Sequence, residues 1–245
     1  MHAKVHKELA YQALQDYPKP ALLRFLLKAV AKPDWKKNEA TRVRWLKEWM
    51  DMPDDRHHSS KMRNDHSYKL EKNPQGKFVI KFIAKTKDQA TVVARLKYDA
   101  RDVAEWKVEE EWRTCGLEPA KSIHWVIDVT TPPHTVAGWD DGEHSAIEKH
   151  FDELWSNWYD PTDVIKGTKQ KIPDIYRWAK AFAENRYDRN AELRDIYRAG
   201  GSIKKKGRGE QLGKAVIADV ALNLGAYLAY LDRRIKYDVV ETKLP

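Results

Sequence analysis

The stretch Ile123-His-Trp-Val-Ile-Asp128-Val-Thr-Thr-Pro-Pro-His134, with His144-Ser-Ala-Ile-Glu148 following it, decides how this chain is read. His124 and Asp128 stand four apart, so on a helix both side chains leave one face a turn from each other. Pro132 and Pro133 stop that helix, and His134 sits just beyond the break. His144 and Glu148 repeat the four-residue spacing on the next helical segment. Two such helices side by side offer five nitrogen and oxygen ligands to cations. Neutral imidazole and carboxylate suit zinc at about 2.0–2.2 Å, and a catalytic zinc keeps one position open for water. A lone His beside a carboxylate is most often a surface or capping pair; the ordered set of two pairs around a third His favours ligands.

Outward from this stretch the chain reads as an all-α, multi-helix bundle in a single domain covering residues 1–245. Segments of helical period follow one another at 5–14, 20–31, 38–50, 89–112, 119–129, 143–155, 173–185, 190–198 and 211–232. Pro20 and Pro119 suit first helical turns. The one expected strand covers residues 78–84, by alternation. Residues 53–77 are polar and crowd Asp54, Asp55, His57, His58, Ser59, Ser60, Asn64 and Asp65 into loop composition with unusual chemistry. The stretch 200–209, Gly-Gly-Ser-Ile-Lys-Lys-Lys-Gly-Arg-Gly, reads as a flexible connection.

The chain has 245 residues, 42% of them hydrophobic, with 10 Trp and 11 Tyr, enough to fill a substantial core. The 45 Lys and Arg exceed the 37 Asp and Glu to give a net charge of +8, which favours phosphate-bearing partners. A single cysteine, Cys115, excludes an internal disulfide and any Cys-rich zinc module, so a metal must be held by His and carboxylates. The apolar run 215–231 is interrupted by Asp219, Asn223 and Gly225 and reads as a buried core helix, leaving no transmembrane segment. The polar start Met1-His-Ala-Lys-Val-His-Lys-Glu shows no signal peptide, so the protein stays inside or its first residues were removed.

The run from His124 to His134, with His144-Ser-Ala-Ile-Glu148-Lys-His-Phe-Asp152, resembles the zinc-dependent phospholipase C and S1/P1 nuclease superfamily. Members are helical, bind clusters of zinc and are often secreted. The resemblance implies that His124 and Asp128 bind one zinc, that Asp128 bridges to another, and that His134, His144 and Glu148 hold a separate ion. His6, in Val5-His-Lys-Glu-Leu-Ala10, is similar to the N-terminal helix histidine of the family. The resemblance also implies that His66 and a carboxylate drawn from Asp51, Asp54 or Asp55 complete the first zinc, with Asp54 favoured. Pro53-Asp54 resembles bacterial relatives, Asp51 has a spacing closer to the nucleases, and His57 and His58 compete as ligands. Secreted members use a terminal Trp whose backbone binds the third zinc; here Met1 stands five residues before His6, so two or three zinc ions are implied. His2, His150 and Asp152 read as tail, solvated or capping residues.

The implied reaction is hydrolysis of a phosphodiester by a metal-activated water, with Asp54 or Asp51 orienting or deprotonating it. The substrate is a phospholipid or a single-stranded nucleic acid. Ser145 and Glu148 lean toward phospholipase C, whereas the basic charge and the Lys204-Lys-Lys-Gly-Arg208 segment lean toward a nuclease. Trp139, Trp155 and Trp158 suit either stacking on bases or a lipid groove, although tryptophan at these spacings is commonly core. The competing class is a non-catalytic helical protein that binds metal structurally. A carboxylate-bridged di-iron protein would require Glu-x2-His pairs that are absent.

Overall fold

The computed structural model describes residues 3–30, 38–51, 69–80, 112–203 and 206–235, and within them the architecture is all-helical apart from one small hairpin. Near the N-terminus α1 (Ala3–Asp16), α2 (Pro20–Val30) and α3 (Glu39–Asp51) pack on one another. The first buries Val5, Leu9, Ala10, Ala13 and Leu14, which recur at helical spacing. The second starts at Pro20, whose missing N–H has no partner to lose in a first turn, and buries Leu22, Phe25, Leu26, Ala29 and Val30.

The next elements are α4 (Trp112–Thr130), α5 (Pro132–Thr135), α6 (Asp141–Trp158), α7 (Pro161–Gly167), α8 (Ile175–Arg198) and α9 (Arg208–Arg234). Helix α4 is the hub, in contact with α1, α2, α3, α5, α8 and α9. Its residues from Ser122 to Thr130 are all buried, as expected of an element enclosed on every side. Carboxylates set the later starts. Asp140 and Glu143 form a reciprocal capping box at α6, with Glu143 N–H donating to Asp140 at 2.8 Å and Asp140 N–H donating to Glu143 at 3.1 Å. Asp160 caps α7 through Thr162 N–H, and Asp174 caps α8 through Arg177 N–H.

The hairpin pairs β1 (Leu70–Lys72) with β2 (Phe78–Ile80), antiparallel, in the register Leu70↔Ile80, Glu71↔Val79, Lys72↔Phe78. The Asn73 side chain closes its turn by accepting from the N–H groups of Gln75 and Lys77. Leu70 makes a parallel bridge with Val136, and its carbonyl accepts from Ala137 N–H at 2.9 Å, so the hairpin is sewn to the segment after α5.

Several elements differ from the sequence reading. Helix α4 begins at Trp112, placing Pro119, itself buried, inside the helix instead of in its first turn, where it forfeits one hydrogen bond. Residues 173–198 are not two helices: α8 runs unbroken from Ile175, because Ala179, Ala183, Asn190 and Leu193 share a buried face. The sequence reading missed α7 and β1, each short. The strand expected at 78–84 is present over Phe78–Ile80, while its remainder and the helix expected at 89–111 lie outside the described residues. Of the segment 200–209, Lys204 and Lys205 lie outside them too.

Helix α9 is long and apolar enough to cross a membrane, yet 78% of its most apolar window is buried inside the protein, as the core-helix reading requires. It lies so close to α7 that a methyl group on Gly225 would overlap the backbone carbonyl of Val164, and one on Gly167 would overlap that of Leu222. Gly225→Ala gains about 1 kcal/mol of helix propensity, but the backbone obstacle cannot rotate away, and overpacking of this kind costs about 1–3 kcal/mol. The expected outcome is a net loss of stability in urea titrations with unchanged m-value; an equally or more stable variant would show that the crossing is looser.

Candidate metal centre

The candidate ligands come from four elements. His6 is on α1, His124 and Asp128 on α4, His134 on α5, and His144 and Glu148 on α6. Each four-residue pair faces one way because its helix is regular there. His134 is placed by the short turn after Thr131, where an extended residue followed by Pro132 and Pro133 redirects the chain across the end of α4.

Asp128 is the meeting point. Its side chain is 0% exposed, and one oxygen, Oδ1, lies 3.5 Å from Nε2 of both His6 and His134. The other, Oδ2, lies 3.4 Å from His124 Nε2. The His6 and His124 rings meet edge-on, centroids 4.4 Å apart. His124 Nδ1–H donates to the Met50 carbonyl at 3.1 Å, which leaves Nε2 as the lone-pair nitrogen turned toward Asp128. A backbone carbonyl on α3 thus sets the tautomer of a side chain on α4.

The second group lies on the other side of His134. Glu148 Oε1 accepts from His134 Nε2 at 3.0 Å and from His144 Nε2 at 2.9 Å. The two rings are perpendicular within two degrees, at 88°, with centroids 4.8 Å apart. Burial pushes the His144 imidazole below its ordinary value, with the hydrogen bond to Glu148 opposing that shift. Burial acts to raise the Glu148 carboxyl, but the positive charge of the chain's amino terminus, followed by the hydrogen bonds from His134 and His144, holds it well below the usual carboxylate range.

His6, His124 and Asp128 form one set whose donor atoms lie within 4.8 Å of one another, and His134, His144 and Glu148 form another. The donors fit zinc in type, with two imidazoles and a carboxylate in each set. Spacing agrees for the first: two ligands at about 2.0–2.1 Å from a tetrahedral zinc stand about 3.3–3.4 Å apart, against 3.5 Å from His6 Nε2 to Asp128 Oδ1 and 3.4 Å from His124 Nε2 to Asp128 Oδ2. Those separations are long for hydrogen bonds. In the second set a metal would replace the protons that now join the imidazoles to Glu148.

Six of the residues singled out from sequence are therefore brought together. Asp51 is not in either set: it ends α3, and its Oδ2 accepts from Lys7 at 2.9 Å. Met1, Asp54 and His66, with His57 and His58, lie outside the described residues. His150 packs its ring against Tyr197 at 5.8 Å. Sequence reasoning missed the Met50 carbonyl, since a backbone acceptor carries no residue signature, and the Lys7 contact, since residues 7 and 51 are joined only by the packing of α1 on α3.

No family model matches the chain, and no curated protein matches it. Among solved structures it is similar to the alpha toxin from Clostridium absonum, with a TM-score of 0.57 at 13% identity, over 96% of this chain and 64% of the toxin chain. The chain spans under two thirds of the toxin's length, and at this identity the likeness establishes a shared fold.

Two pH windows follow for the metal-free protein. His144, lowered in the folded state, takes up its proton more readily unfolded, so stability falls as pH drops below about 6.5. Glu148 is also lowered, so its contribution is present above about 4.3 and is lost as pH falls below that value. Urea titrations with a chelator should show both declines, and His144→Gln should flatten the first; an undiminished slope near pH 6 in that variant would contradict the assignment.

Proposed function

We propose that this chain is a zinc-dependent phosphodiester hydrolase of the phospholipase C type. The observation that carries the reading is Asp128, fully buried, with imidazoles from three separate helices facing its two oxygens. The resemblance of 124–152 to zinc-dependent phospholipase C and the fold shared with the alpha toxin support it.

Zinc bound in such a cluster lowers the pKa of a coordinated water toward neutrality and offsets charge developing on phosphoryl oxygens. The chain's own residues prepare this. His6, His124 and Asp128 supply one donor set, and His134, His144 and Glu148 the other. Asp128 spans the two because His134 faces the oxygen that His6 also faces. The Met50 carbonyl fixes the His124 tautomer so that the nitrogen facing Asp128 is unprotonated. Asp51 or Asp54 orients or deprotonates the attacking water, with His66 and the Met1 backbone as further ligands for a total of two or three ions. Asp51 follows Met50, the residue whose carbonyl holds His124, at the end of α3.

A single-strand-preferring nuclease is the second reading, favoured by the net charge of +8. Elemental analysis with parallel assays on phosphatidylcholine and single-stranded DNA separates the readings. At least two zinc ions per chain are expected, with faster hydrolysis of the lipid. His124→Ala and Glu148→Ala should each lose metal and more than about a hundredfold in rate, exceeding the usual effect of residues behind the ligands. Fewer than one metal per chain, or full activity in both variants, would defeat the reading; preference for DNA would move it to the nuclease.

A further inference from the structure

Between α8 and the turn carrying His134 runs a chain of buried hydrogen bonds with a fixed direction. Asn190 on α8 is 1% exposed. Its Oδ1 accepts from the guanidinium of Arg189, from Nε at 3.1 Å and from a terminal nitrogen at 2.9 Å. With the carbonyl end occupied, the amide must present its NH2 in the other direction, and Nδ2 donates to Thr135 Oγ1 at 3.1 Å. The hydroxyl, having accepted, points its own hydrogen at the Thr131 carbonyl at 3.0 Å. That carbonyl also accepts from His134 N–H at 3.2 Å. Thr131 in turn donates through Oγ1 to the Asp128 carbonyl at 3.2 Å.

Arg189 is itself anchored to α9, with one terminal nitrogen in contact with Asp219 and with the Ala215 carbonyl. The amide orientation is therefore set by the partner helix and not by chance rotation.

We propose that Asn190 is a positioning residue for His134, acting through Thr135 and Thr131 to hold the four-residue turn α5 at the distance from Asp128 and Glu148 that metal binding requires. The inference rests on the reading of His134, Asp128 and Glu148 as zinc ligands. Helix α5 is a single turn of four residues, too short to hold its place by its own hydrogen bonds. It contacts α8 through this buried amide, where an unsatisfied polar group would be costly. A shift of one ångström in His134 would disturb both oxygens that its ring faces.

Asn223 on α9 supplies an internal comparison. Its Nδ2 donates to Thr130 Oγ1 at 3.1 Å, and that hydroxyl donates back to Val126 within α4. It is a buried Asn-to-Thr contact of the same chemistry, but it stops on α4 without reaching the His134 turn, and Thr130, two residues from Asp128, projects from a different face of the helix.

The test is zinc titration against a competing chelator on the whole chain, with spectra of 15N-labelled histidines to show which imidazoles the metal perturbs. Asn190→Ala and Thr135→Val should each bind zinc at the His134 group about tenfold more weakly. The double variant should be no weaker than about either single one, because both cut the same relay. Thr135→Ser, which keeps the hydroxyl, and Asn223→Ala should bind like the wild type, the latter despite a comparable loss of thermal stability. Wild-type affinity in both Asn190→Ala and Thr135→Val would overturn the proposal, as would an equal loss of affinity in Asn223→Ala, which would show general softening. A wild-type protein that binds no zinc would remove the metal reading and this inference with it, whereas a zinc-binding wild type with unaffected variants would overturn this inference alone.

Discussion

Removing the Asp128 carboxylate from water is the demand around which the described residues are arranged. Taking an ion of this kind into the interior costs on the order of several kcal/mol, and no water-exposed surface remains on its side chain to recover that loss. Three imidazoles face the carboxylate, each from a different element, His6 on α1, His124 on α4 itself and His134 on α5, and a cation held among them would offset the cost. Bringing them together fixes the order of packing. Helix α1 must cross α4, the chain must turn back sharply at Thr131, and α3 must end where the Met50 carbonyl can hold His124. A hydrophobic residue in place of Asp128 would be an easier tenant of such a site. A charge in that place suits the proposed cation binding better than it serves stability.

The sequence made the centre more legible than the fold's details. The four-residue spacings in 124–128 and 144–148 survive because helices are regular, so side chains on one face in the pattern are on one face in space. His134 was legible because two prolines can only redirect a chain. Helix ends were less legible. Pro119 reads as a start, but the helix already runs from Trp112 and Pro119 lies buried within it. The sequence reading interrupts α8 at residues 186–189, yet Arg186 and Arg189 are partly buried against Asp219 of α9, and this tertiary contact is absent from any local pattern. The role of Asn190 was invisible for the same reason: an asparagine is ordinary until its partners at Thr135 and Arg189 are known.

Around the centre the same economy of contacts recurs at its margins. Arg194 and Arg198 of α8 hold the carbonyls of Ala137 and Gly138, and Arg198 also pairs with Glu143, the residue that completes the α6 capping box. The segment joining His134 to His144 is thereby held by α8 on one side and by the β1 strand, through Leu70, on the other. The short ligand-bearing turn α5 and the connection that follows it are thus held by longer neighbours.

The central claim is that these side chains are metal ligands, and the direct measurement is anomalous diffraction at the zinc absorption edge from crystals of the chain grown with zinc. The account predicts one peak among His6, His124 and Asp128 and a separate peak among His134, His144 and Glu148. A zinc-soaked crystal with ordered side chains at both places and anomalous density at neither would contradict it.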